Sequence, residues 1–254
     1  MAFDAPALLT WYERVKRPLP WRATRDPYAL LVSEVMLQQT QAARVVPYYE
    51  AFLAHFPNPS VLAEAAPRDV LAAWSGLGYN RRALSLQTAA RVVAERGWPE
   101  DLRELPGVGA YTAAAVGAFA FGRAELPVDT NVRRVLARTA LRPPDEPPPV
   151  LGQALMELGA MVCRAREAAC AKCPVAAACA SAGAVAIPAR MKAGERRERF
   201  EDSNRWVRGR DVEALAAGED LPPGIAPERL ERAVAGLVAD GLVERAANGL
   251  RLPA

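Results

Sequence analysis

Leu105-Pro-Gly-Val-Gly-Ala-Tyr-Thr112, followed by Pro127-Val-Asp-Thr-Asn-Val-Arg-Arg-Val-Leu136, decides how the rest of the chain folds. Pro106 ends whatever precedes it. Gly107 and Gly109 permit a tight hairpin, so the amides of Val108, Gly109 and Ala110 open the next helix. Such an opening is an anion site. Asp129 and Asn131 stand at the mouth of a further helix, because the periodic apolar residues Val132, Val135 and Leu136 begin directly behind them. Together the two segments provide for a phosphate and set a carboxylate beside it. Either Asp129 or Asn131 also serves as an ordinary helix N-cap. The two roles are compatible, since the positive helix end keeps a carboxylate ionised.

Outward from this stretch, 254 residues at 51% hydrophobic content bury one sizeable core and leave material for a small second domain. The net charge of +3 neither demands nor opposes a nucleic-acid partner. No basic segment leads into an apolar one at the start, and no run reaches the roughly 20 apolar residues of a membrane span, so a cytoplasmic protein is expected. All four cysteines lie between Cys163 and Cys179. That bunching points to a metal site in a reducing compartment rather than to disulfides, with zinc the generic occupant.

Residues 5 to 17 form a short helix, apolar at Leu8, Leu9 and Tyr12. A long helix is expected from Tyr28 to Tyr49, its first half apolar nearly all round and therefore buried. Glu34 lies in that half with Leu30, Leu31 and Leu37 one turn away. Turned inward, desolvation raises its pKa and makes it a proton donor near neutral pH; turned outward, it is an ordinary solvated glutamate. Residues 60 to 96 read as three short helices, broken near Pro67 and at Ser75-Gly-Leu-Gly-Tyr79. That turn suits an exposed wedge for bent DNA, or else a buried Tyr after a helix stop. Arg81 and Arg82 follow it and are expected to face phosphates.

A helix over Pro99–Leu105 and a small-faced one over Tyr111–Phe121 flank the hairpin. His55, between Phe52 and Phe56, is structural, and no serine or cysteine hydrolase is supported. After the proline-rich loop at 143–149 come a helix over Leu151–Cys163, a polar linker over 184–204 with Arg190, Lys192, Arg196, Arg197 and Arg199, and helices over Val207–Ala217 and Pro227–Asp240. Gly241–Arg245 and Leu250–Leu252 read as strands around an Asn248-Gly249 turn.

Several strings resemble the helix-hairpin-helix DNA glycosylase superfamily and, within it, adenine glycosylases of the MutY type. They are Leu19-Pro-Trp-Arg22 with Arg25-Asp-Pro-Tyr28, Ser33-Glu-Val-Met-Leu-Gln-Gln-Thr-Gln41, Gly76-Leu-Gly-Tyr79, the hairpin with its downstream Asp129, and the six, two, five cysteine spacing. The resemblance is strong over residues 18 to 180 and weak in the tail. It implies an all-α, two-lobed helix-hairpin-helix core. An N-terminal helix (1–22) would join a cluster lobe (127–183), beside a six-helix lobe (23–126), a linker (184–204) and a small winged-helix-like domain (205–254).

The activity implied is base-excision repair of double-stranded DNA: removal of adenine opposite 8-oxoguanine or guanine by a monomeric glycosylase. Glu34 would protonate the base, Asp129 would stabilise the sugar cation, and Tyr111 and Asn131 would orient sugar and phosphate. Gln38, Gln39, Thr40, Leu77, Tyr79, Arg81, Arg82, Val108, Gly109 and Gln153 would contact DNA. Cys163, Cys170, Cys173 and Cys179 would hold a structural 4Fe-4S cluster. The related endonuclease III type carries Lys at the position of Tyr111, and a phenol cannot form an imine, so the resemblance implies a monofunctional enzyme. Asn80 departs from the second aromatic of many members. The tail resembles shorter, actinobacterial-type members, so the larger nucleotide-hydrolase-like domain is not expected. Two alternatives stay open: a mismatch thymine glycosylase and a non-catalytic DNA-binding protein.

Overall fold

A computed structural model describes residues 5–185, 199–246 and 249–254, and over these the chain is built almost wholly of helices. They are α1 (Ala5–Val15), α2 (Pro27–Leu37), α3 (Ala42–His55), α4 (Pro59–Glu64), α5 (Pro67–Trp74), α6 (Arg81–Arg96), α7 (Ala110–Phe121), α8 (Thr130–Thr139), α9 (Pro149–Met161), α10 (Asn204–Ala217) and α11 (Pro227–Ala239). Strands β1 (Glu244–Ala246) and β2 (Gly249–Arg251) pair antiparallel, with Arg245 opposite Leu250. Asn248 of the expected hairpin turn, and the expected linker from residue 186 to 198, lie outside the described residues. No described helix is long and apolar enough to cross a membrane.

Two expected helices are corrected. The single helix over Tyr28–Tyr49 is broken at Gln38–Gln41, where Gln39 takes a left-handed backbone (φ 57°). The cause lies far along the chain: Arg82 Nη1 donates to the carbonyls of Val35, Met36 and Gln38 and so terminates α2. Over Pro99–Leu105 there is only a 3-10 turn, Leu102–Glu104. Asp101 accepts from the Arg103 amide at 3.0 Å, drawing the backbone into a tight turn, and Pro106 follows before a second turn can form.

The chain divides into two compact units: residues 1–31 with 108–192, and 32–107 with 193–254. In the first, α1 and α8 pack on α9 around Leu8, Tyr12, Val132, Val135, Leu151, Leu155 and Leu158. Small residues set the spacing. A Cβ on Gly152 would sit 2.9 Å from the Pro127 ring, and one on Gly159 would sit 2.6 Å from Asn131 Cβ, so α9 admits the Asp129 segment only because these two side chains are missing. Glu157, wholly buried on α9, accepts from Arg17 Nε and Nη2 at 2.8 Å each, from the Arg17 amide at 3.1 Å and from Arg22 Nη2 at 2.7 Å. Burial alone would raise its pKa. The Arg17 and Arg22 hydrogen bonds outweigh burial and hold it at about 2.

In the second unit α4 and α5 pack on α6, while α10 packs on α5 and α11. Trp74 and Phe52 meet edge to face at 5.7 Å in the interior. Asp211 on α10 is fully buried, and neither carboxylate oxygen has a hydrogen-bond partner among the described residues. Burial pushes its pKa from 3.8 up to about 6. A carboxyl with a raised folded-state pKa adds nothing unfavourable below about pH 4 and becomes a cost as pH rises through 6. Asp211→Asn should therefore stabilise the protein by roughly 1–3 kcal/mol at pH 7.5, with the gain vanishing toward pH 4. Urea melts at both pH values check this; a variant no more stable at pH 7.5 contradicts it.

Candidate functional site

Asp129 is the N-cap of α8. Its Oδ1 accepts from the Val132 amide at 2.7 Å, and its Oδ2 accepts from Asn131 Nδ2 at 2.9 Å. Both oxygens are held, and the side chain keeps partial exposure at the positive end of a helix. Asn131 Oδ1 in turn accepts from Arg134 Nη2 at 2.7 Å, and the same guanidinium donates to the carbonyls of Gly159 (2.7 Å) and Cys163 (2.8 Å). Asp129 is therefore fixed through Asn131 and Arg134 to the end of α9. Arg134 escaped the sequence reading, although Asn131, Arg134 and Arg138 recur at helical spacing on one face.

At the other end of α8, Arg138 donates to the carbonyls of Arg164 and Ala165, and its Nη1 lies 3.6 Å from Cys163 Sγ. The Ala180 amide donates to the Thr139 carbonyl. These bonds seat the loop in which Cys163, Cys170, Cys173 and Cys179, all half-buried, line one cavity of about 360 Å³ with Leu158 and Val162. Burial pushes the Cys173 thiol up, a hydrogen bond with the Val175 backbone opposes this, and the other three cysteines add to the rise. Among the described residues no three His, Cys, Asp or Glu side chains are close enough to bind one ion.

Tyr111 stands in the first turn of α7, half-buried, behind the exposed Gly109 and Ala110; Val108 is buried. Gly109 caps α7, so the first-turn amides point out of the helix as the hairpin reading requires. Gln153 accepts from the Tyr12 hydroxyl at 2.8 Å on the wall of an open cleft of about 1170 Å³, lined also by Lys16, Arg22, Arg25 and Phe119.

In the second unit Glu34 is 5% exposed on α2, which excludes the outward, solvated alternative. Gln38, Gln39 and Thr40 form the turn after α2; Gln39 is exposed, and its Oε1 accepts from the Tyr79 hydroxyl at 2.6 Å. Tyr79 is left-handed (φ 51°) in the Gly76–Tyr79 turn. Leu77, expected as part of an exposed wedge, is instead packed inward at 6% exposure, so the turn presents Tyr79 alone. Arg82 likewise departs from expectation. Its guanidinium is spent on the carbonyls of Val35, Met36, Gln38, Gly78 and Tyr79 and stacks on Trp74 and Tyr79, which joins the two turns instead of facing phosphate. Burial lowers its pKa to about 10, still charged at neutral pH. Arg81 remains exposed and meets Asp240 at 3.3 Å, and Asn80 is buried at the start of α6.

Residues 32–161 match the family described as HhH-GPD superfamily base excision DNA repair protein. The adenine DNA glycosylase of Mycolicibacterium smegmatis is 40% identical over 98% of this chain and 95% of its own. The human adenine DNA glycosylase is 41% identical over 68% of this chain and 38% of its own. Among solved structures, a thermostable thymine-DNA glycosylase aligns with TM-score 0.65 at 28% identity, over 71% of this chain and 95% of that one. An endonuclease III in a non-covalent DNA complex aligns with TM-score 0.60 at 22% identity, over 70% and 92%.

Proposed function

The chain belongs to the HhH-GPD superfamily of base excision DNA repair proteins, and from that premise we infer its activity. It acts on DNA as a monofunctional glycosylase that hydrolyses the N-glycosidic bond of adenine. The observation that carries this reading is the similarity, along nearly the whole chain, to adenine DNA glycosylases.

The finer reading is that the adenine removed lies opposite 8-oxoguanine or guanine in duplex DNA, and that a single copy of the chain suffices. The target leaves the base stack to be reached. Glu34, kept from water on α2, gives its proton to N7 of adenine and weakens the C1'–N9 bond. Asp129, at the mouth of α8, stabilises the sugar cation that forms, and a water molecule completes hydrolysis. Tyr111 and Asn131 orient the sugar and its phosphate; the phenol of Tyr111 offers no amine for strand cleavage. Gln38, Gln39, Thr40, Tyr79, Arg81 and the hairpin at Val108–Gly109 contact the duplex, with Gln153 on the cleft wall beside Tyr12.

Cys163, Cys170, Cys173 and Cys179 are the residues that would hold a 4Fe-4S cluster. All four open onto one cavity, the donor set is wholly sulfur, and Arg138 brings a positive N–H toward Cys163 Sγ. A cubane takes one thiolate per iron, which matches the number of cysteines lining this cavity. When bound, the cluster supplies structural cross-linking of the loop. Iron and sulfide in near-equal amounts, about four each per chain, with absorption in the visible, are the expected analysis; stoichiometric zinc instead would overturn it.

Single-turnover assays on duplexes bearing adenine opposite 8-oxoguanine, adenine opposite guanine, thymine opposite guanine, and an oxidised pyrimidine test the reading. Release of adenine, with strands breaking only after alkali, is the expected result. Release of thymine instead would favour the activity named for the thymine-DNA glycosylase, and release of no base would leave a DNA-binding protein.

A further inference from the structure

Tyr79 and Gln39 are non-glycine residues held in the left-handed region, an arrangement that costs about 1–2 kcal/mol per residue and persists only where neighbours enforce it. From the inside Arg82 ties both turns together, Trp74 Nε1 donates to the Gly78 carbonyl at 3.2 Å, and Arg44 Nη2 donates to the Gly76 carbonyl at 2.5 Å. The outside is closed by the C-terminal segment. Arg205, in the first turn of α10, donates from Nη1 to the Tyr79 hydroxyl oxygen, and its guanidinium lies 5.0 Å from the ring centres of both Tyr79 and Phe200. Phe200 is half exposed, and the segment is pinned by Arg229, which donates to the carbonyls of Glu201 and Ser203.

The chain of donors has a direction. A guanidinium has no acceptor, so the Tyr79 oxygen accepts from Arg205, which favours its role as the donor in the hydrogen bond that it makes to Gln39 Oε1. The amide of Gln39 is thereby oriented with its oxygen inward and its NH2 outward, as a donor. Without Arg205 the phenol is free to accept from Gln39, and the amide can turn its oxygen outward instead. We propose that Arg205 is a positioning residue for base recognition: acting through Tyr79, it fixes Gln39 as a hydrogen-bond donor toward the base opposite the extruded adenine. 8-Oxoguanine has a carbonyl oxygen at C8 where guanine has only C–H, so a donor held against C8, rather than against the neighbouring N7, prefers the oxidised base. This inference rests on the adenine-opposite-8-oxoguanine reading above.

The test compares full-length wild-type protein with Arg205→Met, Arg205→Lys, Tyr79→Phe and the double variant, reading the ratio of single-turnover rates on adenine opposite 8-oxoguanine and opposite guanine. Arg205→Met should lower that ratio about 3- to 10-fold, the worth of one hydrogen bond. Arg205→Lys, which keeps a donor without an acceptor, should restore part of it. In the Tyr79→Phe background Arg205→Met should change the ratio no further, because the relay is already cut. An unchanged ratio in Arg205→Met, or an equal loss in both backgrounds, overturns the relay and leaves Arg205 an ordinary cationic contact. Wild-type protein that releases no adenine from either duplex would instead remove the underlying reading.

Discussion

Glu34→Gln is expected to abolish adenine release, with the single-turnover rate falling by two to four orders of magnitude, while duplex binding survives. The substitution keeps size and shape, so the packing of α2 around Leu30, Leu31 and Val35 is undisturbed. What it removes is the transferable proton, and no other carboxyl group on α2 can replace it. Rates on duplex with adenine opposite 8-oxoguanine, beside binding to the same duplex carrying a non-cleavable adenosine analogue, separate chemistry from affinity. A variant that cuts at the wild-type rate would show that the acid lies elsewhere.

The second large effect concerns stability. Glu157→Gln should lower the unfolding free energy by about 3 kcal/mol at pH 7, because Arg17 and the nearly buried Arg22 lose the anion that both of them share. The pH dependence gives the sign. A carboxyl depressed from 4.5 to about 2 contributes its full stability above pH 4.5 and loses it as pH falls through 2. Denaturation curves of the two proteins should therefore lie apart at pH 7 and converge in acid. Equal midpoints at pH 7 would mean that the buried pair contributes nothing net.

What could be read from the residues alone was the local part. The three helices between 59 and 96 and the capping by Asp129 follow from prolines and cap residues within a turn or two, whereas the apolar surround of Glu34 left its inward or outward turn open until the resemblance favoured inward. Features decided by distant partners were hidden. Gln38 to Gln41 contain no helix breaker, and α2 ends there because a guanidinium 44 residues further on takes its last carbonyls. The same guanidinium looked like a phosphate ligand, since nothing beside Arg82 in the chain reveals that it is turned inward. Glu157 reads as an ordinary glutamate on an apolar helix until Arg17 and Arg22, 140 and 135 residues earlier, are brought to it. Arg205 is 126 residues from the tyrosine that it grips.

Helix α8 has ten residues and so spans about 15 Å, with the capped carboxylate at its head and the sulfur-lined loop bolted to its tail. A rod so short is stiff, and it acts as a lever. On the role proposed for Asp129, oxidation of the thiols is expected to slow turnover by way of Arg138 and Arg134 before the rest of the fold is lost.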